Sequence, residues 1–163
     1  MEQSSSPAVY ELLSFGFAGT STLRLCSLPS TSVVCFPSSP QEFPRPDERF
    51  FTTDYRYLWS MGLPDDGDLE FVAPMPLYRH DLVTGERILH DFGDGRIPGE
   101  FVFVPCDAGA PEGDGWVMGY VIDRNRGTSA LEILDAHSLE TVASVHIPHL
   151  IPPGFHGNWI AAN

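Results

Sequence analysis

A repeat in the chain constrains its fold more than any other sequence feature. A strand ending in Asp, a turn and a strand following a Glu occur twice at equal spacing, as Leu77…Asp81…Glu86 and as Leu131…Asp135…Glu140. The longer units that contain these hairpins begin at Glu42 and Glu100, and a third unit begins at His156, so that successive starts are 58 and 56 residues apart. A unit of this length with about four strands has the size of a propeller blade, whereas a solenoid would need a shorter unit.

Short apolar and aromatic segments fill the chain from Glu42 onward. No stretch of the chain long enough to form a helix keeps the 3.6-residue apolar period of an amphipathic helix. Gly and Pro, 15 of each, separate these segments as turn residues do. The predicted strands are 55–59, 69–72, 77–81, 87–91, 101–104, 115–122, 131–135 and 141–146. The sequence therefore predicts an all-β chain with about two blades of a β-propeller and the inner strand of a third.

The first part of the chain differs from the rest. Residues 1–38 are rich in Ser, Thr, Leu and Pro and nearly free of charge, so we expect an atypical segment that is poorly ordered or forms short strands near 12–17 and 32–36. Residues 39–163 are expected to form the blades. A propeller closes with four blades or more, and an open stack leaves strand edges unpaired, so this chain is expected to need further blades or partners.

Composition excludes several classes of function. A formal net charge of −13 argues against nucleic acid and against anionic membranes as partners. No apolar run approaches the ~18 residues of a membrane span. Three cysteines without Cys-x-x-Cys spacing argue against a disulfide framework or a structural zinc site, and indicate free thiols in a reducing cytoplasm.

The three positions that start the repeated units are candidates for chemistry. Matching positions on the inner strands of successive blades converge near the propeller axis, and here they hold Glu42, Glu100 and His156. These residue types suit a site for iron, manganese or zinc, and a glutamate can accept the proton on the far ring nitrogen of a ligating histidine. Alternatively, the glutamates cap turns and His156 is a hydrogen-bonded core residue. The remaining histidines are interpreted as structural: His80, His90, His137, His146 and His149.

Four ordered blocks resemble the carotenoid cleavage oxygenase family, which includes lignostilbene dioxygenases and the retinal isomerohydrolase. The blocks are Glu42-Phe43-Pro44-Arg45 with Tyr55-Arg56-Tyr57, Leu77 to Leu82 with Thr84-Gly85-Glu86, Gly99 to Pro105 with Asp114 to Val117, and Ile147-Pro148 through Pro153-Gly154-Phe155-His156-Gly157-Asn158-Trp159. They run from about residue 41 to the end of the chain. The resemblance implies a seven-bladed propeller with Fe(II) on its axis, bound by four histidines. Three of these histidines are hydrogen-bonded to glutamates that do not bind the metal.

Carried over residue by residue, the resemblance makes His156 the last iron ligand and Glu42 and Glu100 two of the supporting glutamates. Phe155 is the best candidate for a wall of the substrate cleft. The other three histidines lie upstream in the family and have no match here. The implied activity is cleavage of a C=C bond of an apolar conjugated substrate, a carotenoid, apocarotenoid or stilbene, with O2.

Two hypotheses remain open at this point. In the first, the chain is the C-terminal part of a non-haem iron dioxygenase and is inactive without the missing N-terminal blades, because one histidine cannot hold Fe(II). In the second, it is a non-catalytic remnant of such an enzyme that acts, if at all, as a β-rich interaction module.

Overall fold

The computed structural model of the chain describes residues 24–25, 34–35, 40–64, 73–154 and 156–161. The expected strand at 69–72 lies outside these residues, as does most of the segment 1–38. The strands are β1 Arg24–Leu25, β2 Val34–Cys35, β3 Gln41–Pro46, β4 Tyr57–Gly62, β5 Leu77–Asp81, β6 Arg87–His90, β7 Arg96–Pro105, β8 Gly115–Asp123, β9 Thr128–Asp135 and β10 Thr141–Ile147. A single 3₁₀ turn, Glu48–Phe50, is the only helical element of the described part, so the all-β prediction is confirmed there.

The strands from β3 onward form two four-stranded antiparallel sheets. The first sheet has the order β3-β4-β5-β6 and the second the order β10-β9-β8-β7, while β1 pairs only with β2. Both predicted hairpins are present, with β5 paired to β6 and β9 paired to β10. In each sheet the first strand in the chain lies at one edge and the last strand at the other, as a simple meander requires.

Some strands run further than the sequence predicted. β4 extends through Gly62 instead of ending at Trp59, and β7 spans Arg96–Pro105 instead of 101–104. Proline marks turns in most contexts, which is why the predicted strand 101–104 stopped before Pro105. An edge strand tolerates proline because one side of it has no ladder to support, and β7 is such a strand, with Pro98 and Pro105 inside it.

The two copies of the Asp…Glu repeat fold into the same turn. Asp81 N–H donates to the Glu86 carbonyl and Asp135 N–H to the Glu140 carbonyl, each at 2.9 Å. Each aspartate also accepts two backbone N–H groups of its own turn through Oδ1. Gly85 has a positive φ of 74°. The equivalent residue in the second turn is Leu139, with φ 58°, so the backbone repeat holds even where the sequence does not.

The hydrophobic core lies between the two sheets. The first sheet contributes Trp59, Met61 and Leu77, and the second contributes Phe101, Val117, Val121 and Leu134. Trp59 is 1% exposed, its ring stacks on Phe103 with centroids 5.0 Å apart, and its Nε1–H donates to the Ala136 carbonyl at 3.0 Å. This packing fixes how one sheet lies on the other and sets β7 against β3 and β4.

No helix in the described part of the chain is long and apolar enough to cross a membrane.

A buried polar cluster joins three strands of the first sheet. His80 on β5 is 1% exposed, and its Nε2 lies 2.8 Å from Gln41 Oε1 and 3.1 Å from Ser60 Oγ. Because the amide oxygen only accepts hydrogen bonds, Nε2 carries the proton. Burial, and secondarily the positive charge of Arg87, lower the pKa of His80 to about 4. His80 is thus a neutral structural histidine on the third strand of its sheet.

The stability of the chain is expected to fall as the pH is lowered from 6.5 to about 4. In this range the unfolded chain binds a proton at His80 that the folded chain does not, which removes on the order of 3 kcal/mol at most. Urea unfolding of the full chain at a series of pH values measures this loss. A His80→Asn variant should lack this part of the pH dependence. His149→Asn, in an exposed segment, controls for loss of a histidine and should keep it, and parallel curves for His80→Asn and the unsubstituted chain would contradict the assignment.

Candidate metal centre

Three separate chain segments meet where β3 and β7 lie side by side. β3 carries Glu42 and β7 carries Glu100, and contact between these two edge strands brings them to the same end of the packed sheets. After β10 the chain turns back across the second sheet, where Ile151 N–H donates to Ser129 Oγ at 2.9 Å. Gly157 N–H then donates to Glu100 Oε2 at 2.7 Å, which places the neighbouring His156 beside β7.

Each glutamate lies at an irregularity of its strand. The register of β3 shifts between Glu42 and Arg45, so that Phe43 and Pro44 lie opposite Ser60 alone. The register of β7 shifts between Pro98 and Phe101, so that Gly99 and Glu100 lie opposite Tyr120 alone. A β-bulge re-aims the side chains at its position, and bulges are frequent next to functional sites. Glu100 lies within the bulge of β7, and Glu42 directly precedes the bulge of β3.

Glu100 and His156 are in contact. The Nδ1 atom of His156 lies 3.3 Å from Glu100 Oε1. The Glu100 side chain is only 5% exposed, whereas that of His156 is 72% exposed. An ionised carboxylate can only accept hydrogen bonds, so a neutral His156 ring facing it carries its proton on Nδ1. The lone pair on Nε2 is then free for a ligand, which is the arrangement usual for a metal-binding histidine.

Four donors surround the Glu100 carboxylate. Arg45 grips it with a fork, Nε to Oε1 at 2.7 Å and Nη2 to Oε2 at 3.0 Å. The other two donors are the Gly157 amide and the His156 ring. Burial raises the pKa of the Glu100 carboxyl, but the hydrogen bonds from Arg45, Gly157 and His156 together hold that pKa below its usual value. Glu100 is therefore ionised and has a fixed orientation.

Glu42 lies near Glu100 and His156 but in a different environment. Burial raises the pKa of its carboxyl, and a hydrogen bond from the Phe43 backbone and the charge of His156 oppose that rise. Phe43 has φ 53°, which is unusual for a residue with a side chain. Its ring meets the His156 ring edge to face, with centroids 5.7 Å apart. The structure thus brings all three predicted positions, Glu42, Glu100 and His156, into one neighbourhood.

A cleft of about 400 Å³ opens beside His156. Its lining is mostly apolar and includes Phe43, Ile97, Tyr120, Ile122, Ile151 and His156. Phe155, which the sequence named as a cleft wall, lies outside the described residues. Phe43 and Arg45 were part of the recognised Glu-Phe-Pro-Arg block, but the sequence assigned neither of them a role. The sequence signal that could have indicated a role for Arg45 was its position three residues after the candidate site glutamate Glu42.

The described residues provide one candidate ligand of a metal site, His156. Within the described ranges no three of His, Cys, Asp and Glu converge as a metal would require. His156 does have the features of a ligand, because its ring is exposed, its Nδ1 faces a buried carboxylate and its Nε2 is unused by that contact. Neutral imidazole is a suitable donor for Fe(II), so the residues present are compatible with iron but do not complete its coordination.

A sequence model of the retinal pigment epithelial membrane protein family (RPE65) matches residues 15–161. The family resemblance therefore begins earlier than residue 41, where the sequence blocks placed its start. The match also starts within the segment 1–38, and the boundary at residue 38 stays a prediction.

Curated relatives of the chain are oxygenases. It is 38% identical over 132 residues to a carotenoid cleavage oxygenase of Mycobacterium tuberculosis, a match that covers 80% of this chain and 26% of the relative. It is 34% identical over 128 residues to resveratrol cleavage oxygenase 1 of Botryotinia fuckeliana, covering 76% of this chain and 23% of the relative. The chain thus spans about a quarter of the length of the curated relatives it matches.

Among solved structures, the chain is similar to the cobalt-substituted apocarotenoid oxygenase (ACO) of Synechocystis. The TM-score is 0.69 at 28% identity, over 78% of this chain and 27% of the oxygenase.

Gly119 on β8 supports the backbone at Glu100, and Gly119→Ala is expected to lower the free energy of unfolding by about 1–3 kcal/mol. A Cβ atom at this position would lie 2.7 Å from the Glu100 carbonyl oxygen and 2.6 Å from Phe101 Cδ2, so the bulge would have to move. Urea unfolding of the full chain measures the loss.

The matched control is Gly99→Ala, in the same bulge. A Cβ at Gly99 has its nearest contact at 3.5 Å, to the Tyr120 carbonyl oxygen, and its φ needs no glycine. We expect a change within about 0.5 kcal/mol. Equal effects of the two substitutions would mean that the close approach at Gly119 does not hold the bulge.

Proposed function

The chain belongs to the RPE65 family of carotenoid cleavage oxygenases, and we propose that residues 40–161 form two blades and one inner strand of the C-terminal part of a seven-bladed β-propeller. The two four-stranded meanders have the architecture of blades. Segment 156–161 then corresponds to the beginning of the next blade.

In this proposal the complete protein is a non-haem Fe(II) dioxygenase that cleaves a C=C bond of a carotenoid, apocarotenoid or stilbene-like substrate with O2. The names of the relatives, a carotenoid and a resveratrol cleavage oxygenase, support this substrate class. The contact of the buried Glu100 carboxylate with Nδ1 of an exposed His156 is the observation that carries the proposal. Nothing in a structural role requires an exposed histidine to be held in this way.

The second sheet is apolar on both of its faces, and this supports the proposal that further blades pack against it. Phe101, Val117, Val121 and Leu134 face the first sheet and are buried. Residues on the opposite face of this sheet are also apolar, although they are only half-buried or exposed: Val102, Met118, Tyr120, Ile122, Leu131, Ile133 and, on β10 opposite Leu131, Val145. An antiparallel sheet with one solvated face alternates apolar and polar residues. A sheet that is apolar on both faces is expected to be covered on both, as an interior blade of a propeller is.

The residues of this chain would have distinct tasks. His156 would offer Nε2 as one ligand, and Glu100 would hold the ring and its tautomer. Glu42 would do the same for a histidine that comes from outside these residues. Fe(II) bound there would supply the activation of O2 for cleavage of the substrate double bond into two carbonyl products.

The cleft would bind the substrate. Its apolar lining at Phe43, Tyr120 and Ile151 suits a conjugated hydrocarbon and would exclude water from the double bond. Because upstream blades would form the opposite wall, this chain would provide only part of the binding surface.

One histidine cannot retain Fe(II), so the purified 163-residue chain should contain no stoichiometric iron and cleave nothing. The positive test is a chimera in which residues 40–161 replace the corresponding part of the Synechocystis apocarotenoid oxygenase. We expect it to bind about one iron per chain, measured by elemental analysis, and to cleave an apocarotenoid into two carbonyl products.

His156→Ala in the chimera should abolish both iron binding and cleavage, whereas His149→Ala, seven positions earlier and exposed, should leave both unchanged. A folded chimera that binds no iron with His156 intact would favour the non-catalytic remnant. Iron retained after His156→Ala would exclude His156 as a ligand.

A further inference from the structure

Arg45 connects the three segments that meet at the site. It lies on β3, its Nε and Nη2 grip the Glu100 carboxylate on β7, and Nη2 also donates to the Gly157 carbonyl at 2.7 Å. Its remaining terminal nitrogen, Nη1, donates to Glu48 Oε1 at 2.8 Å. The Arg45 side chain is 17% exposed, and its two bonds to Glu100 are part-buried, whereas those to Glu48 and to the Gly157 carbonyl are exposed.

Arg45 and its neighbours fill the acceptor capacity of Glu100. Oε1 receives Arg45 Nε and His156 Nδ1, and Oε2 receives Arg45 Nη2 and the Gly157 amide. A carboxylate has about four acceptor positions, two on each oxygen. With two donors on each oxygen the carboxylate plane cannot rotate, and the position left on Oε1 is the one that His156 uses.

We propose that Arg45 is a positioning residue for the metal ligand: its guanidinium fork fixes the Glu100 carboxylate and the Gly157 carbonyl, and thereby keeps the His156 proton on Nδ1 and Nε2 available. The inference rests on the proposed function for the use to which Nε2 is put. The contacts themselves require no metal. Arg45 does not touch the reacting atoms and acts only through Glu100 and the backbone of segment 156–158.

The chemistry of arginine suits this task better than that of lysine. The guanidinium is planar and presents N–H groups in a rigid fork that matches a carboxylate, whereas lysine is a single flexible point charge. One arginine can therefore fix the plane of Glu100 and anchor the carbonyl beside His156 at once. A lysine at position 45 would keep the charge and lose the geometry.

A purely structural role for Arg45 makes a different prediction. As an ion pair between two sheets it would affect stability alone, and the state of the His156 ring would not depend on it. The chain offers a matched ion pair for comparison, in which Arg56 grips Asp81 through Nε at 3.0 Å and Nη2 at 2.6 Å. That pair joins the residue before β4 to the last residue of β5, and neither Arg56 nor Asp81 has a described contact with His156.

The test is nuclear magnetic resonance of the metal-free 163-residue chain labelled with ¹⁵N-histidine, recorded at about pH 8, where an ordinary histidine is neutral. Correlations between the ring nitrogens and carbon-bound protons report which nitrogen is protonated, and the His156 signals are assigned by their loss in His156→Gln. In the unsubstituted chain we expect His156 to be almost entirely the Nδ1–H tautomer. In Arg45→Gln we expect the mixed tautomers of a freely solvated imidazole.

Arg56→Gln is the control and should lower stability while leaving the His156 tautomer unchanged. Arg45→Lys serves if Arg45→Gln does not fold, and it should also give mixed tautomers because the fork is lost. Retention of the Nδ1–H tautomer in a folded Arg45 variant would overturn the proposal, and so would an equal shift in Arg56→Gln. Because no iron is involved, either result is independent of whether the chimera binds metal.

Discussion

The contact between the two sheets at Trp59 is the interaction on which the rest of the structure depends. Among the described residues Trp59 is the largest fully buried side chain, it stacks on Phe103 of β7, and its indole N–H is satisfied by the Ala136 carbonyl. A buried indole stabilises a core by its area and specifies orientation by its one donor. This single residue therefore joins the middle of the first sheet to both β7 and the turn after β9. A four-stranded sheet alone would have no such partner.

The candidate site is a consequence of that contact. Once β7 is set against β3, Arg45 can reach Glu100 across 55 residues of sequence, and a buried carboxylate has its compensating charge. Without this partner the burial of Glu100 would be costly, since an ionised group out of water needs an ion pair and hydrogen bonds. The C-terminal segment then adds little of its own, because Gly157 and His156 attach to a carboxylate that the two sheets have already fixed. The packed core thus fixes the Arg45–Glu100 ion pair, and this ion pair in turn fixes the orientation of His156.

The sequence predicted the parts of the fold that local chemistry controls. The two Asp…Glu turns were visible because an aspartate that accepts backbone N–H groups of its own turn works within a few residues. Leu139 shows the limit of such reasoning, since a positive φ there is tolerated by a residue that is 2% exposed and held by the core. The bulges at Glu42 and Glu100 were not predictable, because they depend on which residue of the partner strand lies opposite. The two-bond contact of Arg45 with Glu100 was not predicted for the same reason, although Arg45 belongs to one of the family blocks identified in the sequence.

In the proposed propeller, the incompleteness of the site and the apolar outer face of the second sheet have one physical origin. In such a propeller each blade would bury both of its faces against neighbouring blades, and each inner strand would bring polar groups to a shared axis. A chain with two such sheets can satisfy only the interface between them. It therefore leaves Tyr120 and Val145 exposed on one side and a single oriented histidine, His156, at the edge of the cleft. What this chain can fix alone is the orientation of that ligand, because Arg45 and Glu100 lie on its two packed sheets. The coordination of a metal and the far wall of the cleft would depend on the surface that covers the outer face, so in this proposal folding of that interface and assembly of the site would occur together.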